Sequence, residues 1–352
     1  MLPWRASFQY TFRVLKPSTL NLVSVLLTTH NSASVLEACL ESVYRQDYPT
    51  LEVIIVDNAS IDATRDLLKR FENRARIIYN EQNVGFAAGM NQAIAQAQGE
   101  WLLSLNPDVL LSPDFISMLV AAGKADPRIG TVCGKLLRWK PGQEPERTKV
   151  IDSTGIYFLR NLRHLDRGEE ELDCGQYDRP EYVMGATGAA AVYRRKMAED
   201  VSLEGEFFDE DFFAYREDAD AAWRAQLMGW SCLYTPAAVA WHVRRVTPAR
   251  FHELPNFINR HSIKNRFLMR AKNISLPLYL RLLIPVTVRD VLILGYCLLR
   301  RWTLLGGLGY AWKRRQAVWK KRKWIQSHRR VSDSEMAKWF ARRPRSFPYS
   351  SA

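Results

Sequence analysis

The stretch Trp101-Leu102-Leu103-Ser104-Leu105-Asn106-Pro107-Asp108 begins as an apolar run and breaks off at Asn-Pro-Asp. An apolar run this short that ends at proline is typical of a buried parallel strand rather than a helix. Pro107 has no N–H to donate, so sheet pairing should end there. Asp108 then lies just beyond the carboxyl edge of the strand, where open α/β sheets bind ligands. A carboxylate there is either a turn former, the commoner case, or a ligand for a cation on a phosphate.

Upstream of this stretch, strand-like and helix-like segments alternate, which indicates βαβ units, a parallel sheet and an α/β fold. The predicted strands cover residues 22–28, 51–56, 76–79 and 101–105. The predicted helices cover residues 34–45 with a capping box at Ser34 and Glu37, 62–71, and 86–97 with Gly99 as C-cap.

Three of the predicted strands end in a hydroxyl or a carboxylate, at Thr28, Asp57 and Asp108. Because parallel strands share one carboxyl edge, these side chains should gather along it. One such ending is ordinary turn chemistry, whereas three in one half-domain are better explained by a ligand. The absence of GxGxxG after the first strand weakens a dinucleotide site, and the absence of GxxxxGK[ST] excludes a P-loop.

Composition and charge limit the class of protein. A chain of 352 residues is long enough for one large or two ordinary domains. Its five cysteines are scattered without a CxxC pair, which counts against a disulfide framework and structural zinc and suits a reducing cytosol. The apolar run at residues 22–27 is too short and too far from the start to be a signal peptide, so none is expected.

The net charge of +13 is unevenly distributed along the chain. From Trp241 onward there are 25 Lys and Arg against four Asp and Glu, so the preceding 240 residues are net acidic. A basic region on an acidic body indicates an anionic partner, either nucleic acid or a membrane surface.

Four short motifs follow one another in order: Thr28-Thr29-His30-Asn31, Val56-Asp57-Asn58-Ala59-Ser60, Asn83-Val84-Gly85-Phe86-Ala87-Ala88-Gly89-Met90-Asn91 and Asn106-Pro107-Asp108. In this order and spacing they resemble the family 2 glycosyltransferases with the GT-A fold, especially the rhamnosyltransferase-like branch. That fold joins a Rossmann-like nucleotide-binding sheet to an acceptor half. With the later motifs, the resemblance covers roughly residues 21–250.

The resemblance implies a nucleotide-sugar site along these motifs. Thr28, His30 and Asp57 would contact the base, with His30 where the family often has a stacking Tyr, and the third motif would line the ribose and diphosphate. The residues assigned to the donor are Thr28, His30, Asn31, Asp57, Asn58, Ser60, Asn83, Gly85, Asn91 and Asn106.

The resemblance also implies a divalent metal, Mg²⁺ or Mn²⁺, bound through the diphosphate. Asp108 matches the last acid of the family's DxD-type motif, whereas position 106 is Asn and is not assigned to the metal. His242 lies where the family has a His near the metal. Arg244 and Arg245 would either hold diphosphate oxygens or form a solvated basic loop.

A second dense stretch, residues 207–220, places six carboxylates among aromatic residues and leads into a predicted helix over 218–228. Glu217-Asp218 resembles the family's Glu-Asp pair, whose Asp is the general base toward the acceptor hydroxyl; Asp218 and Glu217 are therefore the expected catalytic residues. The helix N-terminus should keep Asp218 ionised. For Asp220 a capping role is favoured, and Trp223 is expected in the core. The small residues at 184–191 indicate either a ligand contact or close packing on a helix.

Beyond residue 250 the apolar runs are too short and too often interrupted by charge to span a bilayer. The alternatives are helices packed on the catalytic body or amphipathic helices in a membrane interface. Basic residues interleaved with Trp312, Trp319 and Trp324 favour the interface.

Together the patterns and the resemblance predict an inverting, metal-dependent glycosyltransferase that uses a nucleotide-sugar on a saccharide or lipid-linked acceptor. The resemblance implies dTDP-L-rhamnose as the favoured donor and cell-surface polysaccharide synthesis as the setting. UDP-galactofuranose and a UDP-hexose are alternative donors. The predicted parts are an extension (1–20), a catalytic domain (21–250, divided into a nucleotide half to 111 and an acceptor half) and a basic membrane-associating region (251–352). The protein would lie peripherally on the cytoplasmic face of the membrane and bind no nucleic acid. The rival hypothesis is a non-catalytic α/β protein whose basic tail binds nucleic acid.

Overall fold

The computed structural model describes residues 21–244 and 256–349. The predicted N-terminal extension, Arg245 and the predicted boundary at residue 250 lie outside the described residues.

The first half of the chain forms the predicted alternation of strands and helices. The elements are β1 (Val23–Thr29), α1 (Ala33–Tyr44), β2 (Leu51–Asn58), α2 (Thr64–Lys69), β3 (Arg76–Asn80), α3 (Phe86–Gln96), β4 (Trp101–Leu105) and β5 (Val109–Leu111). β4 ends two residues before Pro107, as predicted.

The middle of the chain extends the same sheet, contributes β8 and β9 to a separate small sheet, and adds helices. The elements are α4 (Phe115–Lys124), β6 (Ile129–Arg138), β7 (Ile151–Ser153), β8 (Ile156–Leu159), β9 (His164–Asp166), β10 (Glu181–Val183), β11 (Ala190–Arg194), α5 (Arg195–Val201), α6 (Glu217–Leu227) and β12 (Ser231–His242). The long strand β12 is irregular, because its register shifts between Tyr234 and Val239, around Pro236.

The C-terminal part is mainly helical. Its elements are α7 (Asn256–Asn273), α8 (Leu276–Arg281), α9 (Leu283–Arg300), α10 (Gly306–Lys313), α11 (Arg315–His328), α12 (Asp333–Ala337), β13 (Phe340–Ala341) and β14 (Phe347–Pro348). Two of its segments return to the body, because β13 pairs with β8 and β14 pairs with β10.

The main sheet runs in the order β14-β10-β12-β6-β11-β4-β1-β2-β3, with β5 beside β12 and β7 beside β6. β1 is parallel to both β2 and β4, with Thr29 opposite Asp57 and Leu27 opposite Leu105. The carboxyl ends of these three strands therefore lie at one edge, which confirms the α/β prediction and gathers the predicted ligand-bearing ends.

Two helix-end predictions were wrong. α1 begins at Ala33, not after Ser34, and its first amide is capped by Asp62 Oδ2 (3.2 Å), while Glu37 pairs with Arg70. Gly99 does not cap α3, which ends at Gln96. A Cβ on Gly99 would lie 2.6 Å from the Leu22 carbonyl oxygen, so this glycine permits close approach to the start of β1.

The C-terminal helices have two contrasting faces. On the face toward the catalytic body, Lys272, Lys321 and Ile325 are buried. Much of the segment that was predicted to lie in a membrane interface is therefore packed on the body. Trp324 is partly buried and stacks on His328, whereas Trp312 and Trp319 are exposed. On the outer face, the exposed apolar side chains from α8 to the turn after α9 are Leu276, Leu280, Leu283, Ile284, Val288, Val291, Leu292, Leu298, Leu299 and Trp302. No helix within the described ranges is long and apolar enough to cross a bilayer.

Candidate active site

Asp57 lies at the end of β2 with its side chain completely buried. Its Oδ2 accepts hydrogen bonds from the Ser60 amide (3.2 Å) and Arg65 Nε (2.7 Å). Its Oδ1 and the hydroxyl of Thr28 are buried without a hydrogen-bond partner among the described residues. A buried acceptor without a donor costs roughly 1–3 kcal/mol, so both atoms are suited to a ligand that brings its own donors.

Hydrogen bonds between residues predicted to bind the nucleotide-sugar connect the loops after β1 and β2. The Asn31 amide donates to Ser60 Oγ (2.9 Å), and Asn31 Oδ1 accepts from the Ile61 amide (2.9 Å). His30 Nδ1 lies 2.7 Å from the Asn58 carbonyl oxygen, and its ring remains exposed. Asn31 and Ser60 therefore position the loop, and the exposed ring of His30 is free to stack.

The third motif forms a tight turn against the 207–220 stretch. Asn58 Nδ2 donates to the Gly85 carbonyl oxygen (3.0 Å), and the Gly85 amide donates to Asn83 Oδ1 (2.9 Å). Gly85 has φ +89°, and a Cβ there would lie 2.6 Å from the Phe213 carbonyl oxygen, so both backbone and space require glycine.

Asn91 has a different environment from the one expected. Both ends of its buried amide bind the backbone of Phe208, as donor to the carbonyl (2.7 Å) and acceptor from the N–H (3.0 Å). Asn91 thus holds the 207–220 stretch in place rather than presenting a free amide to a donor. Asn106, at the end of β4, is partly buried, and its backbone N–H donates to the Ala189 carbonyl oxygen (2.8 Å).

Asp108 and His242 meet at the sheet edge, as their assignment to one metal requires. Asp108 Oδ1 lies 3.4 Å from His242 Nε2, and His242 Nδ1 lies 2.8 Å from Oδ2 of the buried Asp152. Burial disfavours the imidazolium, but Asp152 and Asp108 outweigh it and raise the pKa of His242 to about 9. Asp152 sets the orientation of the ring and leaves Nε2 facing the site.

Arg244 connects this chain of groups to a further carboxylate. Its guanidinium lies 3.4 Å from Asp152 Oδ2 and donates to Asp166 Oδ2 at 2.7 Å. Asp152 and Asp166 come from β7 and β9, and neither was among the site residues predicted from the sequence. Ile151-Asp152-Ser153-Thr154-Gly155 repeats the apolar-to-polar ending of the earlier motifs, which is the signal that could have indicated Asp152.

No group of three or more His, Cys, Asp or Glu in residues 21–244 and 256–349 is arranged to hold a metal ion by itself. Asp108 and His242 are the neighbouring side chains that could coordinate a metal. A bound metal would take its other ligands from a diphosphate and water.

Glu217 and Asp218 begin α6 after a strained turn, in which Phe213, Tyr215 and Arg216 have φ between +67° and +74°. Asp218 Oδ2 accepts from the Gly188 amide (3.0 Å) and Oδ1 from its neighbour Ala219 (2.7 Å). Two backbone donors therefore fix the carboxylate in one orientation.

The ionisation of this pair differs from the helix-dipole expectation. Burial, together with the nearby charge of Asp166, raises the pKa of Asp218 despite the hydrogen bond from Gly188. Burial and the neighbouring Asp218 raise the pKa of Glu217 well above its ordinary value. Glu217 Oε2 is also buried without a hydrogen-bond partner among the described residues. Desolvation, rather than the helix N-terminus, controls both groups.

The small-residue segment packs closely on α6 at one glycine and contacts Asp218 at another. A Cβ on Gly185 would lie 2.3 Å from Ala222 Cβ, so this glycine permits close packing on α6. Gly188 instead donates to Asp218, and its carbonyl oxygen accepts from Ser104 Oγ at 2.8 Å. Trp223 is completely buried, which confirms the core prediction.

Three other acids of the 207–220 stretch form a neutralised cluster, which we define as Asp209, Asp211 and Asp220 with Lys272 and Lys321. Lys272 pairs with Asp209 and with Asp220 (3.0 Å), and Lys321 pairs with Asp209 (2.6 Å) and Asp211 (3.2 Å). The capping role favoured for Asp220 was wrong, because this buried carboxylate is bound by cations. We call Asp108, Asp152, Asp166, Glu217 and Asp218, with His242 and Arg244, the reactive cluster.

Comparison with known proteins identifies distant relatives, which include a polysaccharide synthase and a putative glycosyltransferase. Poly-beta-1,6-N-acetyl-D-glucosamine synthase of Staphylococcus epidermidis is 24% identical over 225 residues, which cover 62% of this chain and 49% of that protein. The putative teichuronic acid biosynthesis glycosyltransferase TuaG of Bacillus subtilis is 39% identical over 90 residues, 25% of this chain and 36% of that protein. The chain spans between about a quarter and a half of the curated relatives it matches.

Among solved structures, the mannosyltransferase PcManGT from Pyrobaculum calidifontis in complex with GDP-Man and Mn²⁺ has a TM-score of 0.50 at 21% identity, covering 84% of this chain and 75% of that one. GalNAc-T7 with UDP, GalNAc and Mn²⁺ has a TM-score of 0.53 at 14% identity, covering 71% of this chain and 47% of that one. These similarities confirm the predicted GT-A fold. The model of glycosyl transferase family 2 matches residues 24–202, half of the chain. The α/β sheet, the ordered motifs and this match agree, and the chain belongs to glycosyl transferase family 2.

Proposed function

We propose that the protein is an inverting, metal-dependent glycosyltransferase that moves a sugar from a nucleotide donor to a saccharide or lipid-linked acceptor in cell-surface polysaccharide synthesis. The observation that carries the proposal is the reactive cluster, in which Asp108, His242 and Asp152 are linked through Arg244 to the Asp166 and Asp218 side. A metal-side carboxylate and an acceptor-side carboxylate thus face one sheet edge. The proposed catalytic domain is residues 21–250, with the donor half ending near residue 111.

The base of the donor would bind at the ends of β1 and β2. Asp57 Oδ1 and Thr28 Oγ1 are buried there without a hydrogen-bond partner among the described residues, and thymine and uracil each carry an N–H that fits such an acceptor. The exposed His30 ring would stack on the base. We favour dTDP-L-rhamnose on the motif resemblance, with UDP-galactofuranose and a UDP-hexose as alternatives that this geometry also accommodates.

The residues at the sheet edge fit a divalent metal. Asp108 and His242 would hold it, and Asp152 would orient the His242 ring from behind. A mixed carboxylate and imidazole set favours Mn²⁺ over Mg²⁺, which prefers oxygen ligands. When bound, the metal neutralises charge on the leaving diphosphate.

Asp218 would act as the general base. Its carboxylate takes the proton from the acceptor hydroxyl as that oxygen bonds to the anomeric carbon, and the bond from that carbon to the diphosphate breaks with inversion. The amides of Gly188 and Ala219 hold the carboxylate for this transfer. Glu217, whose pKa is raised well above its ordinary value, would keep its proton and support Asp218 or the acceptor.

The contacts of the C-terminal helices count against the nucleic-acid hypothesis, because Lys272, Lys321 and Arg314 form ion pairs with acidic residues of the catalytic body. We propose instead that the apolar outer face of α8 and α9, with Trp302, docks on the cytoplasmic face of the membrane. Exposed tryptophan and a contiguous apolar helix face are typical of interfacial binding.

The proposal is tested by thermal melting of the protein with dTDP, UDP or GDP, each with Mg²⁺ or Mn²⁺. We expect one nucleotide to raise the melting temperature in a metal-dependent manner, since a ligand stabilises the state that binds it. Asp108→Ala should abolish the metal-dependent part. Asp47→Ala, which removes an exposed carboxylate elsewhere, is the matched control. Metal-dependent nucleotide binding that survives unchanged in Asp108→Ala would reject the metal assignment.

A further inference from the structure

A cavity lies between α8 and the segment that connects β13 to β14, and no residue of the reactive cluster lines it. It encloses about 570 Å³ and is lined by five arginines: Arg160, Arg281, Arg342, Arg343 and Arg345. In the described parts of the chain, none of these guanidinium groups has a carboxylate within salt-bridge distance. This contrasts with Lys272 and Lys321, whose charges are neutralised inside the fold.

The segment that carries three of these arginines is held at both ends. Phe340 and Ala341 pair with β8, and the Arg160 amide donates to the Ala341 carbonyl oxygen (3.0 Å). At the other end β14 pairs with β10, and Ser346 Oγ donates to Glu181 Oε1 (2.8 Å). The arginines are therefore presented from a fixed backbone around one cavity.

The lining combines cations with apolar groups, since Leu278 and Phe340 are buried in its wall. Arg281 belongs to α8, the helix that also exposes Leu276 and Leu280 on the outer apolar face. Guanidinium groups match phosphate oxygens in geometry and charge. Phosphate at the level of an interfacial apolar helix is what a lipid headgroup supplies.

We infer that this arginine cavity binds the phosphate headgroup of an anionic membrane lipid. This inference rests on the proposed membrane docking and not on the identity of the sugar donor. Arg160 follows β8, whose other end, Ile156, is paired with Asp166 of the reactive cluster. Four residues of strand cover about 13 Å, so a headgroup held in the cavity fixes the reactive cluster at a set distance from the membrane surface.

Vesicle binding of the full chain tests the inference. We expect binding to phosphatidylcholine vesicles that contain phosphatidylglycerol, and weaker binding to phosphatidylcholine alone. The variant R342Q/R343Q/R345Q should partition at least about tenfold less onto the anionic vesicles, given the usual contribution of each basic residue at such a surface. R160Q/R281Q removes charge from two other elements and should show the same direction of loss.

The control K124Q/K149Q/K196Q removes three exposed lysines of the catalytic body and should stay within about twofold of wild type. An equal loss in this control, or a wild-type protein indifferent to phosphatidylglycerol, overturns the inference. Melting with inorganic phosphate or pyrophosphate separates the sources. Stabilisation that the arginine variants lose while they keep vesicle binding would assign the cavity to a soluble phosphate and overturn the lipid assignment.

Nucleotide melting on the same variants separates this inference from the proposed function. Unchanged metal-dependent nucleotide binding with lost vesicle binding supports the cavity as a separate site. A wild type that binds vesicles through the cavity but no nucleotide would reject the donor proposal and leave this inference standing.

Discussion

The two acidic clusters of this protein use the same residue type in opposite ways. In the neutralised cluster, every carboxylate is bound by a buried or partly buried cation from the C-terminal helices, and Lys272 with Lys321 holds the pKa of Asp209 well below its ordinary value against the effect of burial. In the reactive cluster, backbone amides hold the Asp218 carboxylate, Glu217 Oε2 has no hydrogen-bond partner among the described residues, and burial raises the pKa of both groups. Asp209, buried with lysines, is a structural group, whereas Asp218 and Glu217, buried without an ion pair among the described residues, are able to exchange protons.

Breaking the neutralised cluster should have the largest effect on the molecule. Lys272→Met leaves Asp209 and Asp220 buried with one cation fewer, and removing one partner of a buried ion pair typically costs about 3–5 kcal/mol of unfolding free energy. Urea denaturation measures this cost. Lys320→Met, which breaks an exposed pair with Glu204, is the control and should change stability by less than about 1 kcal/mol. Equal stability of the two variants would contradict the structural role of the cluster.

Deleting residues beyond Trp312 is a harsher form of the same test. It removes Lys321 and the buried Ile325, so we expect loss of the cooperative melt. A truncated protein that melts cooperatively and only loses vesicle binding would instead support a purely interfacial role for this segment.

Asp218→Asn tests the reactive cluster. The amide keeps the size of the carboxylate and cannot take a proton, so we expect kcat to fall at least about 10²-fold with nucleotide–metal binding unchanged. Glu217→Gln should do less damage, because Gln resembles a protonated Glu. Sugar transfer at saturating donor measures both. Near-normal turnover in Asp218→Asn with a dead Glu217→Gln would reverse the two roles.

Asp152→Asn separates orientation of the metal ligand from its charge. Loss of the carboxylate behind His242 should weaken Mn²⁺ affinity in the presence of nucleotide by roughly 10–100-fold, the usual scale for such partners. Calorimetric titration with Mn²⁺ measures it. Asp166→Asn, which removes a partner of Arg244 but leaves the His242 contact, should bind Mn²⁺ more nearly as wild type does. The same loss in both variants would show a general electrostatic effect.

The donor half was predictable because its information is local. The predicted site residues follow directly after β1, β2 and β4 in the sequence. Because these strands are parallel neighbours, residues at their carboxyl ends lie together at one sheet edge. Asp152 and Asp166 act only because distant strands bring them to His242 and Arg244. The pairs of Lys272 and Lys321 with Asp209 span 63 and 112 residues, so a basic tail that neutralises the body has the same composition as one that binds a membrane.

The smallest expected effect is a pH dependence that distinguishes the two clusters by sign. Folding raises the pKa of Glu217, so the folded state binds this proton more tightly than the unfolded chain does. In the unfolded chain the pKa of a glutamate is about 4.3. The contribution of Glu217 to stability is therefore complete below that pH and is lost as pH rises toward the folded pKa. Asp209, with a lowered pKa, contributes the opposite way, with stability lost as pH falls. Glu217→Gln cannot titrate, so its unfolding free energy should gain on that of wild type as pH rises from about 4 to 8. Urea denaturation across this range measures the difference, and a difference that does not change with pH would mean that Glu217 titrates alike in both states.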